Sequence, residues 1–253
     1  MNNIFGRGKM IELLYENKNA IFCVKPHGLL SQSGRNGGDE PDMLGIISRH
    51  IGAEADLIHR LDRPTGGVMI FSKNKRTSGA LSALVADKER CIKEYLAVVS
   101  GEMQVRSGDL CDYLFKDAAK GKSFVVPASK KGAKEARLSY QVISVADGEH
   151  GKLSLVKIRL GTGRTHQIRA QFSSRGLPIV GDGKYGSRER IRGEANAFGV
   201  SPKDMIALYA FRLAICGSDI ARFDVYSLPD LDRYPFSVFK ENISSALVNS
   251  SLE

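Results

Sequence analysis

Spacings typical of metal sites are missing from this chain. Its four cysteines are far apart and form no Cys-x-x-Cys pair, and its five histidines include no pair four residues apart. Because such spacings supply the ligands of most zinc sites, the sequence predicts no bound metal. Isolated cysteines in apolar or strand-like surroundings indicate reduced thiols in the core of a cytoplasmic protein; they are Cys23, Cys91, Cys111 and Cys216.

Membrane spans and complete cofactor motifs are missing as well. No apolar run approaches the roughly 18 residues of a membrane span, and residues 1–7 lack the apolar core of a signal peptide. Gly121-Lys122-Ser123 is similar to the end of a phosphate-binding loop, but Lys116 stands where that loop needs its first glycine. Gly161-Thr162-Gly163 lacks the third glycine of a dinucleotide fingerprint, so the sequence predicts no cofactor.

Acidic residues are outnumbered, and the net charge of +9 with a pI near 9.4 favours a polyanionic partner. A dense group of lysines lies between Lys116 and Arg137, where only Asp117 and Glu135 oppose them. This placement suits a groove that follows a phosphate backbone. Since the chain has no tryptophan, stacking on bases is left to Tyr, Phe, His or Arg. The predicted RNA contacts are Lys120, Lys122, Lys130, Lys131 and Lys134.

The hydrophobic pattern predicts many strands and few helices. Apolar or alternating runs indicate strands at 20–24, 68–71, 95–99, 124–126, 136–145, 153–160 and 222–228. Helical periodicity appears at 75–90, 165–175 and 235–247. Regular strand–helix alternation is missing, so we expect an α+β fold built on a large mixed, mainly antiparallel sheet with flanking helices. We expect one catalytic domain over residues 1–253, with its core at about 18–232.

The most informative segment of the chain is His59 to Gly67. It follows a short, mainly apolar run at 55–58 that carries one acid, Asp56. It places Asp62 between two arginines and ends in a Pro/Gly turn before a buried strand. Nearby positive charge favours the ionised form of a carboxylate. An ionised carboxylate at such a junction suits a nucleophile or a structural ion pair, and suits a general acid poorly.

Two further segments follow in a fixed order. Residues 93–101 read KEYLAVVSG, and residues 161–169 read GTGRTHQIR, followed by LPIVGD at 177–182 and Tyr185-Gly186. With His59-Arg60-Leu61-Asp62 and the opening strand FCVKPHGL at 22–29, the sequence resembles the RluA-type pseudouridine synthases over roughly residues 20–230. About twenty residues precede the opening strand, so we expect a short member without an additional N-terminal RNA-binding domain.

The resemblance implies a role for several residues. Asp62 is the catalytic nucleophile, Arg169 its ionic partner, and Tyr95 the side chain that stacks on the target base. Arg60 contacts RNA and fills the space of the extruded nucleotide, while Ile168 and Leu208 are expected at the uracil pocket. The implied reaction converts uridine to pseudouridine in structured rRNA or tRNA, without a cofactor, by a protein we expect to be a monomer.

Other interpretations of these residues remain open. Asp62 could form a structural ion pair, Arg169 could be a surface helix residue, and Tyr95 could be a strand-edge aromatic. The chain as a whole could be a non-catalytic RNA-binding protein or chaperone, and a glycoside hydrolase ranks last because no second acid lies in a matching motif. Two positions depart from the family pattern: Gly66 stands where serine is usual, and Tyr209 where histidine is common.

Overall fold

The computed structural model of this chain describes residues 3–6, 9–33, 41–216 and 222–250, which form two compact units. The first unit comprises Met1–Lys93, Ala195–Asp204 and Tyr209–Pro229; the second comprises Glu94–Glu194, Met205–Leu208 and Asp230–Glu253. Among the described residues, no helix combines the length and the apolar character needed to cross a membrane.

The sheet of the first unit is mixed. Its strands are β1 (Asn3–Gly6), β2 (Lys9–Glu16), β3 (Ala20–Lys25), β4 (Asp56–Leu57), β5 (Gly66–Ser72), β11 (Leu208–Ile215) and β12 (Phe223–Tyr226). The order is β1-β2-β3-β5-β11, with β4 beside β5 and β12 beside β11. The β5–β11 pair is parallel and the other described pairs are antiparallel. Every residue of β5 is buried, which confirms the buried strand predicted there.

Two capped helices accompany this sheet. Helix α1 (Met43–Ile51) begins after Asp42, whose side chain accepts a hydrogen bond from the Gly45 N–H. Helix α2 (Lys75–Ala86) is shorter than the predicted 75–90 and buries the expected apolar face. That face joins a core of strand residues around Phe22 and Ile70.

The second unit is built on an antiparallel sheet. Its strands are β6 (Cys91–Ser100), β7 (Ser107–Asp117), β8 (Lys122–Val126), β9 (Lys134–Gly148) and β10 (Gly151–Leu160), in the order β6-β10-β9-β7-β8. Strand β6 belongs to this unit from residue 94 onward. Its helices are α3 (Gln167–Ser173) and α4 (Lys240–Ser250). Helix α3 packs Ala170 against Leu114 and Ala136 of the sheet. Mainly antiparallel strands with few helices confirm the predicted α+β class.

The four cysteines are free thiols, as expected, but their burial differs from the prediction. Cys23 and Cys91 are buried, whereas Cys111 and Cys216 are exposed. Cys111 lies opposite the exposed Arg137 on the β7–β9 ladder, so its side chain points to solvent. The prediction of a core position is therefore wrong for Cys111 and Cys216. That the chain forms one domain stays a prediction.

Candidate active site

Asp62 occupies a tight turn between β4 and β5. The Thr65 N–H donates to the Asp62 carbonyl at 3.0 Å and closes a four-residue turn in which Pro64 restricts the backbone. Leu61 is buried, Asp62 is half-buried and Arg60 is exposed. The side chains of Arg60 and Leu61 thus face opposite ways, and Arg60 is open to a ligand.

The segment from Lys25 to Ser31 holds the backbone of this turn. The Ser31 hydroxyl donates to the Leu61 carbonyl at 2.8 Å and accepts from the Leu61 N–H at 3.1 Å. The Gly28 N–H donates to the Arg63 carbonyl at 2.8 Å. His27 Nδ1 lies 2.7 Å from the carbonyl oxygen of Pro64. Residues on both sides of Asp62 are therefore fixed through main-chain atoms.

Lys25 is the most unusual member of this segment because its side chain is fully buried. Its ammonium group donates to the carbonyls of Leu29 at 2.6 Å, Pro26 at 2.9 Å and Arg63 at 3.0 Å. Loss of hydration lowers the pKa of Lys25 to about 7, an effect that the nearby negative charge of Asp62 opposes. Lys25 thus braces the turn and contributes positive charge near the candidate nucleophile.

Two neighbours of Asp62 complete this region. His59 accepts a hydrogen bond from the Ile70 N–H through Nε2 at 3.3 Å, and loss of hydration lowers its pKa to about 3. It is therefore a neutral structural acceptor at physiological pH. The Thr65 hydroxyl is buried and has no hydrogen-bond partner among the described residues.

The two departures from the family pattern lie next to each other. A Cβ atom on Gly66 would stand 2.7 Å from Nε2 of His27 and 3.1 Å from Cδ2 of Tyr209. The rings of His27 and Tyr209 lie 5.9 Å apart, and the Tyr209 hydroxyl is 3.0 Å from the Ser227 hydroxyl. Burial raises the pKa of Tyr209 well above its ordinary value. A side chain at position 66 would therefore collide with the two rings, and glycine avoids this collision.

In the second unit, Arg169 on α3 is fixed by a buried ion pair. Its Nε and Nη2 donate to the two carboxylate oxygens of Asp182 at 2.6 and 3.0 Å. Both side chains are at most 5% exposed, and the guanidinium lies 4.9 Å from the centre of the Tyr185 ring. The surface-helix interpretation of Arg169 is therefore wrong. Sequence reasoning missed the roles of Asp182 and Tyr185, although both residues belong to the third matching segment.

The loop before α3 is ordered by side chains of its own. Gln167 accepts from the Thr162 hydroxyl at 2.7 Å and from the Arg164 N–H at 3.0 Å. His166 adopts a left-handed backbone conformation with φ of 53° and places Nδ1 3.1 Å from the Tyr185 hydroxyl. His166 therefore helps to order the loop that leads into the helix of Arg169.

The remaining predicted pocket residues lie on the second unit and are buried. Tyr95 on β6 is 7% exposed and lies opposite Ile158 of β10. Ile168 and Leu208 are each 4% exposed. Their contact with a base, and the pairing of Arg169 with Asp62, stay predictions.

The dense group of lysines lies on the hairpin of β7 and β8 and on the chain that follows it. Lys120 and Lys122 belong to the hairpin, Lys130 and Lys131 to the loop after β8, and Lys134 begins β9. Four of these five lysines are exposed, and Lys122 is half-buried. The Lys122 ammonium donates to the Lys184 carbonyl at 2.8 Å and lies 4.4 Å from the centre of the Tyr185 ring. Lys122 therefore ties the hairpin to the Tyr185 turn, whereas the other four lysines point outward.

Among the described residues, one group has the composition of a metal site. Glu149, His150 and Glu189 offer ligand atoms within 4.8 Å of one another. Both carboxylates already have partners, since Glu149 pairs with Arg192 and Glu189 accepts from the Tyr234 hydroxyl at 3.0 Å. An ion at this position would displace these contacts.

The chain thus combines a net charge of +9, an α+β fold and a half-buried carboxylate on a turn held by main-chain hydrogen bonds. Residues 19–174 match the family model described as RNA pseudouridylate synthase, so the chain belongs to that family. RluA-type enzymes are among its relatives: a dual-specificity RNA pseudouridine synthase RluA of Vibrio parahaemolyticus is 29% identical over 70% of this chain and 70% of its own length.

Other relatives differ in the RNA that their names state. The ribosomal large subunit pseudouridine synthase D of Borreliella burgdorferi is 31% identical over 81% of this chain and 61% of its own length. The tRNA pseudouridine synthase C of Yersinia pestis is 32% identical over 76% of this chain and 77% of its own length. The human RNA pseudouridylate synthase domain containing 1 shares the fold with a TM-score of 0.68 at 22% identity, covering 89% of this chain and 86% of that structure.

Proposed function

We propose that this chain is an RNA pseudouridine synthase that converts uridine to pseudouridine in structured ribosomal or transfer RNA. The observation that carries the proposal is the turn at Asp62, where a half-buried carboxylate stands on a backbone fixed by residues 25–31. A binding protein would gain nothing from a rigidly held negative charge beside phosphates. Family membership favours catalysis and gives the non-catalytic alternative no support.

The reaction is an isomerisation that needs no second substrate. The bond between C1′ and N1 of uridine breaks, the uracil turns, and a bond forms between C1′ and C5. The proton on C5 is lost and N1 gains one, so the reaction is redox-neutral. Asp62 serves as the carboxylate of this sequence, and attack on the sugar, attack on the base and assistance in proton removal all stay open.

The other residues act on the extruded nucleotide and on the charge of Asp62. Arg169 provides the counter-ion, Tyr95 stacks on the base, and Leu208 with Ile168 lines the uracil pocket. Arg60, exposed beside the turn, contacts RNA where the target base has left the stack. Base extrusion costs a few kcal/mol, which these contacts offset.

Charge and the names of the relatives support ribosomal or transfer RNA as the substrate. The relatives named above act, by their names, on ribosomal RNA, on transfer RNA or with dual specificity. The net charge of +9 suits either polyanion. We propose that the chain works as a monomer in the cytoplasm.

Replacing the candidate nucleophile tests the central proposal. Asp62→Asn should abolish pseudouridine formation and leave folding and RNA binding intact, since the turn is held by main-chain atoms. Nucleotide-resolution mapping of pseudouridine in RNA incubated with the purified variants measures this. Asp56→Asn is the matched control and should stay active, because it replaces another half-buried carboxylate in the segment that leads to the turn. Turnover by Asp62→Asn at the wild-type rate would contradict the proposal, and RNA binding without any turnover by the wild type would support the binding-protein alternative.

The exposed lysines of the β7–β8 hairpin and of the chain up to the start of β9 offer a second test. Neutralising Lys120, Lys130, Lys131 and Lys134 together should weaken RNA binding and flatten its salt dependence. Each lost phosphate contact should lower the slope of log affinity against log salt by somewhat under about 1. Adding the neutralisation of Lys122 should change the slope little further, because that ammonium is already bound to the Lys184 carbonyl. An unchanged slope in the four-lysine variant would show that this segment does not touch phosphates.

A further inference from the structure

The β7–β8 hairpin has an aromatic face that the proposed reaction does not use. Phe115 of β7 lies directly opposite Phe124 of β8 in the antiparallel ladder. Because side chains alternate along a strand, Leu114 and Val125 point to the other face, where they pack into the core beside α3. Four half-buried side chains share the outer face: Tyr113, Phe115, Phe124 and Val126.

Lysine ammonium groups lie over both phenylalanine rings. Lys120 and Lys122 each place Nζ 5.4 Å from the centre of the Phe124 ring. Lys130 places Nζ 5.3 Å from the centre of the Phe115 ring. An exposed cation–π contact contributes only about 0.5–1 kcal/mol. A ligand that offers both a flat ring and a negative charge can therefore displace Lys120 and Lys130 from the aromatic faces.

The positive charge around these rings favours a negatively charged ligand. Residues 116–134 contain six lysines and one acid, Asp117, whose carboxylate lies 3.8 Å from Lys120. Alternating aromatic rings and ammonium groups match the alternating bases and phosphates of an unpaired strand. A duplex keeps its base faces stacked on one another, so it can engage the lysines but not the rings.

We propose that the outer face of this hairpin is a stacking platform for unpaired bases of the RNA substrate. Phe124 and Phe115 stack on bases, while Lys120 and Lys130 leave the rings and pair with the adjoining phosphates. Lys122 stays in place because its ammonium also binds the Lys184 carbonyl. The platform rests on the proposed function only in taking the substrate to be RNA.

The lack of tryptophan in the chain makes a direct test possible. Phe124→Trp introduces a single fluorescent reporter on the platform, in the Asp62→Asn background so that no turnover occurs. A single-stranded RNA oligonucleotide should quench its emission by at least about twofold through stacking. A reporter at the exposed Tyr226 of β12, Tyr226→Trp, is the matched control and should keep its emission.

Affinity provides an independent measurement. Phe124→Leu should weaken binding of the single-stranded oligonucleotide by about fivefold to a hundredfold, the range expected for one stacked base, and leave duplex binding unchanged. Phe124→Tyr keeps an aromatic ring and should retain wild-type affinity. This variant tests the role of the ring even if the leucine variant folds poorly. Circular dichroism of each variant checks the fold.

Two results would overturn the platform. Emission of Phe124→Trp that stays unchanged at saturating RNA would show that no base reaches the ring. Equal losses of affinity for single-stranded and duplex RNA in Phe124→Leu would show that the hairpin recognises charge alone. Neither of these results bears on Asp62, because pseudouridine formation by the wild type is measured separately.

Discussion

The turn at Asp62 and the helix of Arg169 fix a charged side chain in opposite ways. In the first unit, the neighbours of Asp62 are held through carbonyls and N–H groups bound by Lys25, Gly28 and Ser31. In the second unit, Arg169 is held through its own guanidinium by the carboxylate of Asp182. The main-chain hydrogen bonds of the Asp62 turn therefore remain when the Asp62 side chain is replaced, whereas a change at Arg169 leaves a buried charge without this partner.

The largest effect expected from this contrast is at Arg169. Arg169→Met should lower the free energy of unfolding by about 3–5 kcal/mol, because Asp182 stays buried without its bidentate partner. Asp62→Asn should change the same quantity little. Urea titrations of both variants measure the difference. Equal stability of the two variants would remove the contrast between the two regions.

A double variant separates the structural role of Arg169 from its proposed role toward Asp62. Arg169→Met combined with Asp182→Asn removes both buried charges and should regain much of the lost stability. If Arg169 is the counter-ion of Asp62, pseudouridine formation stays impaired in the double variant. Recovery of activity together with stability would contradict that pairing.

An intermediate effect is expected at Lys25, whose ammonium group braces the turn at Asp62 through main-chain oxygens. Lys25→Met should lower the free energy of unfolding by about 1–3 kcal/mol at pH 9, because the Leu29 carbonyl loses its donor. In the folded chain Lys25 has a pKa near 7, against an ordinary value of 10.5, so between these values only the unfolded chain holds the proton.

The stability of the wild type should therefore rise with pH across this window, by at most about 1.4 kcal/mol per pH unit, relative to Lys25→Met. The difference between the two proteins shrinks as the pH falls towards 7. Unfolding experiments at pH 6, 7.5 and 9 measure it. A difference that stays constant from pH 6 to pH 9 would mean that the three carbonyls keep the ammonium charged throughout.

A comparable effect is expected from close packing at Gly66. Gly66→Ser should lower stability by about 1–3 kcal/mol, because the new Cβ meets His27 and Tyr209. Tyr209→His in the same chain should relieve part of this cost. Gly79→Ala on α2, where a Cβ meets nothing within 4 Å, is the matched control and should stabilise the helix. A fully tolerated serine at 66 would show that the two departures from the family pattern are unrelated.

Sequence reasoning predicted what depends on local pattern. The buried strand β5, the apolar face of α2 and the turn at Asp62 follow from runs of apolar residues and from Pro/Gly punctuation. Strand β7 was not predicted, because only Leu110 and Leu114 are buried in its eleven residues and its other positions are polar or half-exposed. Helix α1, only nine residues long, also went unpredicted.

The long-range supports of the site could not be found in this way. Lysine is among the residues least often buried, and Lys25 reaches a carbonyl 38 positions away. Asp182 pairs with an arginine thirteen positions earlier, which no helical or strand period indicates. Such contacts depend on the tertiary arrangement of the loops, so the matching segments identify the residues but not what those residues touch.

The Tyr185 hydroxyl has a mechanical consequence. It accepts from the Ser123 N–H at 2.8 Å, donates to the Ser123 carbonyl at 3.1 Å, and lies 3.1 Å from His166 Nδ1. The Ser123 hydroxyl donates in turn to the Thr165 carbonyl at 2.7 Å. These hydrogen bonds join strand β8 to the two residues that immediately precede α3. Bending of the hairpin must therefore either break these hydrogen bonds or move the start of α3. Motion of the hairpin is in this way coupled to the helix that carries Arg169.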